Sequence, residues 1–229
     1  MKKTKNNKKL IDTIDSSKIY EPSEAIKILI ENSYTKFEES LEVAINLGID
    51  TNKTDQNIRG VVSLPKGSGK MVNVAVLAKG DKQIEAKDAG ADSVGETDLI
   101  DKISSGKINF DILIATPEMM PAIGKVAKIL GPKGLMPNPK LGSVTDDLKK
   151  AVSDAKSGQI ELRNDKDGNI GLSIGKKSFK NESLIKNFEA VIEVLNKEKP
   201  SNVKGDLIKS AFITSSMGVS YKLKLNKSI

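Results

Sequence analysis

The chain has no cysteine, no histidine and no tryptophan. Without cysteine there is no disulfide, no thiolate nucleophile and no cysteine-bound metal, a usage that fits a reducing compartment. Without histidine there is no imidazole base or ligand, which excludes Ser-His-Asp arrangements and most zinc or iron sites. Aromatic residues are scarce, at 3% of the chain. Arginine is scarcer still: of 37 basic residues, 35 are lysine and only Arg59 and Arg163 are arginine. No apolar run approaches the roughly 18 residues that a membrane helix needs, so no membrane span is expected. The amino terminus, M-K-K-T-K-N-N-K-K-L, is basic but leads into charged sequence, unlike a secretory signal.

What is present is positive charge, and it is unevenly placed. The 229 residues carry a net charge of +7. Residues 69–159 hold 13 basic and 12 acidic residues, whereas 1–68 and 160–229 together hold 24 and 18. An excess of lysine alone is read equally well as solubility. Concentrated at the two ends of the chain, it describes a field that attracts phosphate.

Hydrophobic texture divides the chain at the same places. Pro22 lies near a helix start, and Ala25, Ile26, Leu29 and Ile30 follow at helical spacing until Asn32-Ser33. Ser40–Leu47 alternates as a half-buried strand, and Gly60–Leu64 reads as a second. Val72–Ala78 and Asp111–Ala115 are instead continuous apolar runs, separated by helix candidates at Asp81–Ala89 and Asp98–Ser104. Helix is expected again from Pro117 to Leu130 and over Asp146–Ala155. Continuous apolar strands between helices indicate a parallel sheet covered on both faces. After Gly158 the alternating texture returns. Ile160–Arg163 and Asn169–Ile174 are expected to form a hairpin through Asp167-Gly168, Asn181–Asn196 an amphipathic helix, and Phe212-Ile213 with Val219–Leu225 a last strand pair. The simplest assembly is a discontinuous α+β domain, residues 1–68 with 160–229, paired into one antiparallel sheet. Residues 69–159 are inserted into it as an α/β domain. The crossings contain Pro65, Gly67 and Gly69 on one side and Ser157 and Gly158 on the other, a composition that suits a hinge.

No catalytic constellation emerges. Gly67-Ser68-Gly69-Lys70 lacks the first glycine of a phosphate-cradling loop, because position 64 is leucine, and Met71 stands where Ser or Thr would reach magnesium. Asp98 with Asp101, and Asp146 with Asp147, have no third ligand at suitable spacing and read as helix-start or solvent-face carboxylates. No nucleophile has a base beside it, no cofactor is implied, and no metal ligand set is present. An enzyme using the middle domain for a nucleotide would need a glycine fingerprint after the strand around Val72–Leu77, which is missing. A DNA-binding regulator would need a recognition helix with base-reading side chains, and none is evident.

Contact with a polyanion is better supplied. Leu130–Thr145 packs Gly131, Pro132, Gly134, Pro137, Pro139 and Gly142 into one loop whose only charges are Lys133 and Lys140. Glycine and proline preset its bends, giving a rigid cationic loop suited to meeting a surface, with Met136 and Asn138 at its centre. In the terminal segments, Lys36-Phe37 sets an aromatic beside a lysine ahead of a strand. Arg163, Lys166, Lys176 and Lys177 gather around Gly168, and Thr214 to Gly218 strings hydroxyls, Met217 and a glycine between strands. Hydroxyls and small residues let backbone approach ribose and phosphate, and Phe or Met packs on a sugar or base face. Core packing of Phe37 and Met217 is the competing reading, and residue types alone leave both open.

The whole chain resembles the bacterial type of the ribosomal protein L-one family, the protein of the mobile lateral stalk of the large ribosomal subunit. The most specific match is G-L-M-P-N-P-K, residues 134–140. K-F-E-E-S-L-E-V-A-I-N-L (36–47), N-I-R-G (57–60), L-P-K-G-S-G-K (64–70), R-N-D-K-x-G-N-I (163–170) and S-S-M-G (215–218) follow in family order. The resemblance implies a ferredoxin-like split α+β domain I made from both termini, and a Rossmann-like three-layer α/β domain II inserted in it. It implies a cytoplasmic, ribosome-associated protein that is monomeric when free. Its partners would be large-subunit ribosomal RNA, exit-site transfer RNA, which the stalk escorts away, and the mRNA of its own operon, which it represses. Family RNA-contact positions fall on Lys36, Phe37, Arg163, Lys166, Gly168, Thr214, Ser216, Met217 and Gly218, beside Lys176. The sequence departs from the family at Gly171-Leu172-Ser173, where a His-Ala-Pro run is usual, and at Lys133, where an arginine is usual. At Ser216 the usual threonine is replaced with its hydroxyl kept.

Overall fold

The computed structural model describes residues 18–203 and 205–225; the basic run 1–10 lies outside them. The described residues form two compact units, one joining residues up to Gly69 with those from Ile160 onward, the other Lys70–Gln159. Helix α1 (Pro22–Glu31) opens with Pro22 in its first turn and buries Ala25, Ile26 and Leu29. Strand β1 (Ser40–Leu47) occupies the alternating run, with Leu41, Val43, Ile45 and Leu47 turned inward, and β2 is Arg59–Ser63.

In the inserted unit, β3 (Val74–Leu77), β4 (Ser93–Gly95) and β5 (Ile112–Ala115) form a parallel sheet in the order β4-β3-β5. Around it lie α2 (Asp81–Asp88), α3 (Thr97–Ser104), α4 (Met120–Ile123), α5 (Ala127–Leu130) and α6 (Leu148–Lys156). Every residue of β3 is buried because each face packs its own core. Ala75 and Leu77 belong with Ile103, Met119, Ile123 and Leu130, and Val74 and Val76 with Ala86, Leu148 and Val152. The continuous helix expected over Pro117–Leu130 is instead four short turns, with 3₁₀ segments at Pro117–Met119 and Gly124–Val126. Pro121, which has no N–H to continue a preceding turn, and Gly124 interrupt it. Helix α6 starts at Leu148 because Asp147 is its cap, accepting the Lys150 N–H at 3.2 Å.

The chain then returns through β6 (Gln159–Arg163), β7 (Asn169–Lys176), α7 (Asn181–Lys197), β8 (Ile208–Ser215) and β9 (Tyr221–Leu223). The main sheet of this unit is antiparallel in the order β7-β1-β8-β9. Its inner face packs with α1 and α7 into one core that includes Ile26, Ile45, Leu184 and Val191. The expected hairpin between the strands flanking Asp167-Gly168 does not form: β6 pairs with β2, and β7 pairs with β1. Two asparagines steer the strands apart. Asn164 Oδ1 accepts the Ile58 N–H at 2.8 Å on the β2 side, while Asn169 Oδ1 accepts from Asn46 Nδ2 at 2.7 Å on β1.

Candidate nucleic-acid interface

Among the described residues no helix packs on the outer face of the antiparallel sheet. Residues directly opposite in a ladder share a face. The registers Glu42↔Ser173, Ala44↔Gly171 and Asn46↔Asn169 on one side of β1, with Glu42↔Thr214, Ala44↔Phe212 and Asn46↔Ser210 on the other, define one surface. None of these residues is buried. A Cβ added at Gly171 would meet nothing within 4 Å, so the face is open there, with the exposed Phe212 ring opposite Ala44.

One end of β1 gathers the first group of site residues. Phe37 and Met217 are 55% and 48% exposed, which removes the core-packing reading for both. Ser216 is joined to Ser40 twice, its N–H donating to the Ser40 carbonyl and its Oγ accepting the Ser40 N–H, both at 3.1 Å. The Met217 N–H donates to Glu39 Oε1 at 3.0 Å, and Tyr34 Oη donates to the Met217 carbonyl at 3.2 Å. The Gly218 N–H closes the turn on the Ser215 carbonyl at 3.1 Å. A Cβ at Gly218 would crowd the Ser215 hydroxyl, so a larger residue there forces Ser215 or the turn to shift. Lys176 Nζ donates to Ser40 Oγ at 2.8 Å, and Ser178 Oγ donates to Glu38 Oε1. The segment 34–40, the turn 215–218 and the end of β7 are thus tied together, with Lys36 exposed beside Phe37.

Arg163, Lys166 and Gly168 are not in that cluster. They lie at the opposite end of β1, where the Gly168 carbonyl accepts the Leu47 N–H at 2.9 Å and the Lys166 carbonyl accepts from Thr51 Oγ1 at 2.6 Å. Gly168 takes the left-handed φ of 77° that this turn needs. Asp165 organises it, accepting the Asn169 N–H at 2.7 Å and the Asp167 N–H at 2.9 Å. These bonds, that from the Asn169 backbone first, hold its carboxyl below the ordinary carboxylate range. Arg163 and Lys166 are exposed.

The Gly/Pro loop of the inserted unit closes on itself. Asn138 Oδ1 accepts the Lys140 N–H at 2.9 Å, Ser143 Oγ accepts the Asn138 N–H at 2.8 Å, and Gly134 and Gly142 both have left-handed φ. Pro137 is buried while Lys133, Gly134 and Lys140 are exposed, and Met136 is 40% exposed. The Ala115↔Val144 bridge attaches this loop to the end of β5. At the first crossing, Pro65 is exposed, but the buried Asn187 accepts the Lys66 N–H and donates to the Gly67 carbonyl, each at 3.0 Å. Gly69, at φ 71°, packs on Lys176 and Phe179. At the second crossing Ser157 is exposed and Gly158 is buried with φ 100°. Among the described residues no cluster of acidic side chains could hold a metal ion.

The open face itself was missed by residue-type reasoning, which looked for lysines and hydroxyls. Its signal was in the alternation: Ala44 and Gly171 sit at outward positions of strands whose inward positions are Ile, Leu or Val, and Phe212 stands outward between the buried Ala211 and Ile213. Glu39 was also passed over, because a charged residue beside Glu38 reads as solvent-exposed.

A model of the ribosomal protein L1p/L10e family matches residues 29–219. The large ribosomal subunit protein uL1 of Pelagibacter ubique (strain HTCC1062) is 59% identical over 200 residues, 87% of this chain and 87% of that protein. The protein of the same name from Rickettsia akari (strain Hartford) is 54% identical over 207 residues, 90% of this chain and 87% of its own. That of Rickettsia bellii (strain OSU 85-389) is 52% identical over 212 residues, 93% and 89% respectively. With likeness of this extent running through the open sheet, the Ser215–Gly218 turn and the Gly134–Lys140 loop, the chain belongs to the ribosomal protein L1p/L10e family.

Proposed function

We propose that this protein is a structural, non-enzymatic constituent of the large ribosomal subunit, working in the cytoplasm on the ribosome, and that it binds large-subunit ribosomal RNA at the mobile stalk. Domain I, residues 1–68 with 160–229, holds the RNA on the open sheet face, and domain II is residues 69–159. The observation that carries this reading is a sheet face that no described helix covers, bracketed by Phe37 and Met217 at one end and by Arg163 and Lys166 at the other. Lys36 and Lys176 supply phosphate attraction, Thr214, Ser216 and Gly218 let the RNA backbone come close, and the buried Gly168 holds the turn that carries Lys166. The same face binds a mimic of that RNA in the mRNA of its own operon and represses its translation. The Lys133–Lys140 loop, exposed and cationic, suits contact with the backbone of the transfer RNA leaving the exit site. The domains pivot through the two crossings, and the free protein is a monomer.

The test uses the full chain and its Phe37→Ala variant against a stalk fragment of large-subunit ribosomal RNA and an unrelated duplex of equal length. The variant loses about 1–3 kcal/mol of affinity for the stalk fragment and nothing for the duplex. An unchanged affinity for the stalk fragment refutes the interface. Competition between the stalk fragment and the operon mRNA leader tests the shared site, and Lys133→Ala with Lys140→Ala tests the transfer RNA contact on assembled subunits.

A further inference from the structure

Glu39 is 2% exposed, yet it stands in the most exposed segment of the proposed interface, between Phe37 and β1. Strand pairing of β1 with β8 ends at Leu41↔Ser215, so Met217 lies beyond the ladder and has no strand partner for its backbone. Its N–H is taken by Glu39 Oε1 at 3.0 Å. The Glu39 backbone is itself held, its carbonyl accepting the Lys177 N–H at 2.9 Å. Its other oxygen, Oε2, is buried without a hydrogen-bond partner, as is the hydroxyl of Ser33. Both residues line a cavity of about 10 Å³ together with Leu29, Ser215, Gly218 and Tyr221. A buried carboxyl with one oxygen unmatched is costly to keep. Tyr34, whose hydroxyl reaches the Met217 carbonyl at 3.2 Å, is the second fastener on the same residue.

We propose that Glu39 is a positioning residue for RNA recognition: through Met217 it sets the conformation of the Ser215–Gly218 turn, and it touches no RNA itself. This rests on the RNA-binding reading of the open face. A side chain enclosed on all sides has few rotamers, so the turn it holds is fixed before RNA arrives, which lowers the ordering cost of binding. The hydrogen bond rather than the charge is the active element, because Met217 offers only an N–H. The amide of glutamine can accept that N–H equally well, and leucine cannot.

Glu39→Leu, Glu39→Gln, Tyr34→Phe and Phe37→Ala are compared in the full chain. Affinities are measured for the stalk fragment and an unrelated duplex at two salt concentrations, with amide exchange at Met217 read in parallel. Glu39→Leu is expected to lose about tenfold or more on the stalk fragment. It should bind the duplex normally, leave the salt slope unchanged, and expose the Met217 N–H to faster exchange. Glu39→Gln, which keeps the buried volume, should stay within about threefold of the parent, and Tyr34→Phe, which removes only an exposed hydroxyl, should lose an intermediate amount. Equal losses on both RNAs, or Glu39→Gln as damaging as Glu39→Leu, would overturn the proposal. If Glu39→Leu does not fold, Glu39→Met takes its place, and an unaltered Met217 exchange rate and stalk affinity in it overturn the proposal instead. Phe37→Ala separates the two levels. If it leaves stalk binding intact, the interface reading fails; if it weakens binding while Glu39→Leu does not, only the role of Glu39 fails.

Discussion

The two sheets of this protein differ in how many of their faces are covered. In the inserted unit β3 is buried along its whole length, with one apolar core on each side. In the terminal unit β1 buries every second residue on a single core and presents Glu42, Ala44 and Asn46 outward. A sheet covered on both faces offers a ligand only its ends and loops, and the Lys133–Lys140 loop is attached at such an end. A sheet with one bare face offers the face. Nucleic acid is a broad partner, and the bare face with its two fastened ends matches that breadth.

The comparison breaks most visibly under a charge placed on each central strand. Val76→Asp buries an unpaired carboxylate between β3 and α6 and is expected to cost on the order of 5 kcal/mol, unfolding the inserted unit. Ala44→Asp places the same group on the open face, where stability should change by no more than about 0.5 kcal/mol. Its cost appears in RNA affinity, through repulsion of phosphate. Chemical denaturation followed by circular dichroism and an RNA titration check both. An unstable Ala44→Asp would mean that the face is covered after all.

Next in size is Asn187→Leu. Asn187 is buried in α7 and serves Lys66 N, Gly67 O and Ile174 O, so leucine leaves three backbone groups without this partner. A loss on the order of 3 kcal/mol is expected in thermal melts. Amide exchange at Lys66, whose N–H Asn187 accepts, should rise with it, because these bonds fix the first crossing to the terminal unit. Protection unchanged at that amide would show that the crossing is held by other means.

Much of this architecture was legible in the residues. The start of α1 at Pro22, the bounds of β1 and nearly the whole of α7 follow from spacing, because each has a clear stripe and a strong punctuating residue. The failures have physical reasons. Ile160–Arg163 and Asn169–Ile174 look like a hairpin locally, but the partners of Asn164 and Asn169 lie about a hundred residues away in sequence and pull the strands into different sheets. Exposure of Phe37 and Met217 was undecidable from residue type, since both are ordinary core residues. Glu39 was invisible for the opposite reason: nothing in K-F-E-E-S distinguishes a glutamate that faces water from one that faces Met217.

Gly218→Ala probes the turn directly. The new methyl would crowd the Ser215 hydroxyl and come 3.5 Å from Leu29 Cδ2, so Ser215 or the turn must shift. An affinity loss of about 1–3 kcal/mol on the stalk fragment is expected, with the duplex spared. Equal affinity for both RNAs in the parent and the variant would leave the turn a mere connection.

Acid should separate the units in the other direction. Asp92, held below the ordinary range chiefly by the Val74 backbone N–H, and Asp111, chiefly by the Lys70 ammonium, both anchor the start of β3. A carboxyl whose folded pKa is depressed contributes stability that is present above its unfolded value of 3.8 and is lost as pH falls through the folded value. Below about pH 4 the amides of Asn73 and Val74 should therefore lose protection, and Asp92→Asn with Asp111→Asn should flatten this dependence. Protection in the parent that stays the same after both carboxyls have titrated would show that these anchors contribute little.

The smallest effect concerns single lysines on the terminal unit. Lys166 is exposed, and on the proposed reading its contribution is attraction to phosphate. Lys166→Ala should weaken the stalk fragment and the duplex alike and flatten the slope of log affinity against log salt by about one unit. Lys176 is different, because its Nζ donates to Ser40 Oγ at 2.8 Å, inside the frame that carries the turn 215–218. Its replacement should flatten the slope no more than Lys166→Ala does, yet cost more on the stalk fragment than on the duplex. The ratio of the two affinities, taken for each variant at two salt concentrations, isolates the difference, since a purely ionic contact leaves that ratio constant. If both variants leave it constant, Lys176 belongs with the diffuse field of the terminal segments, and recognition narrows to Phe37, the Ser215–Gly218 turn and the bare sheet between the two ends.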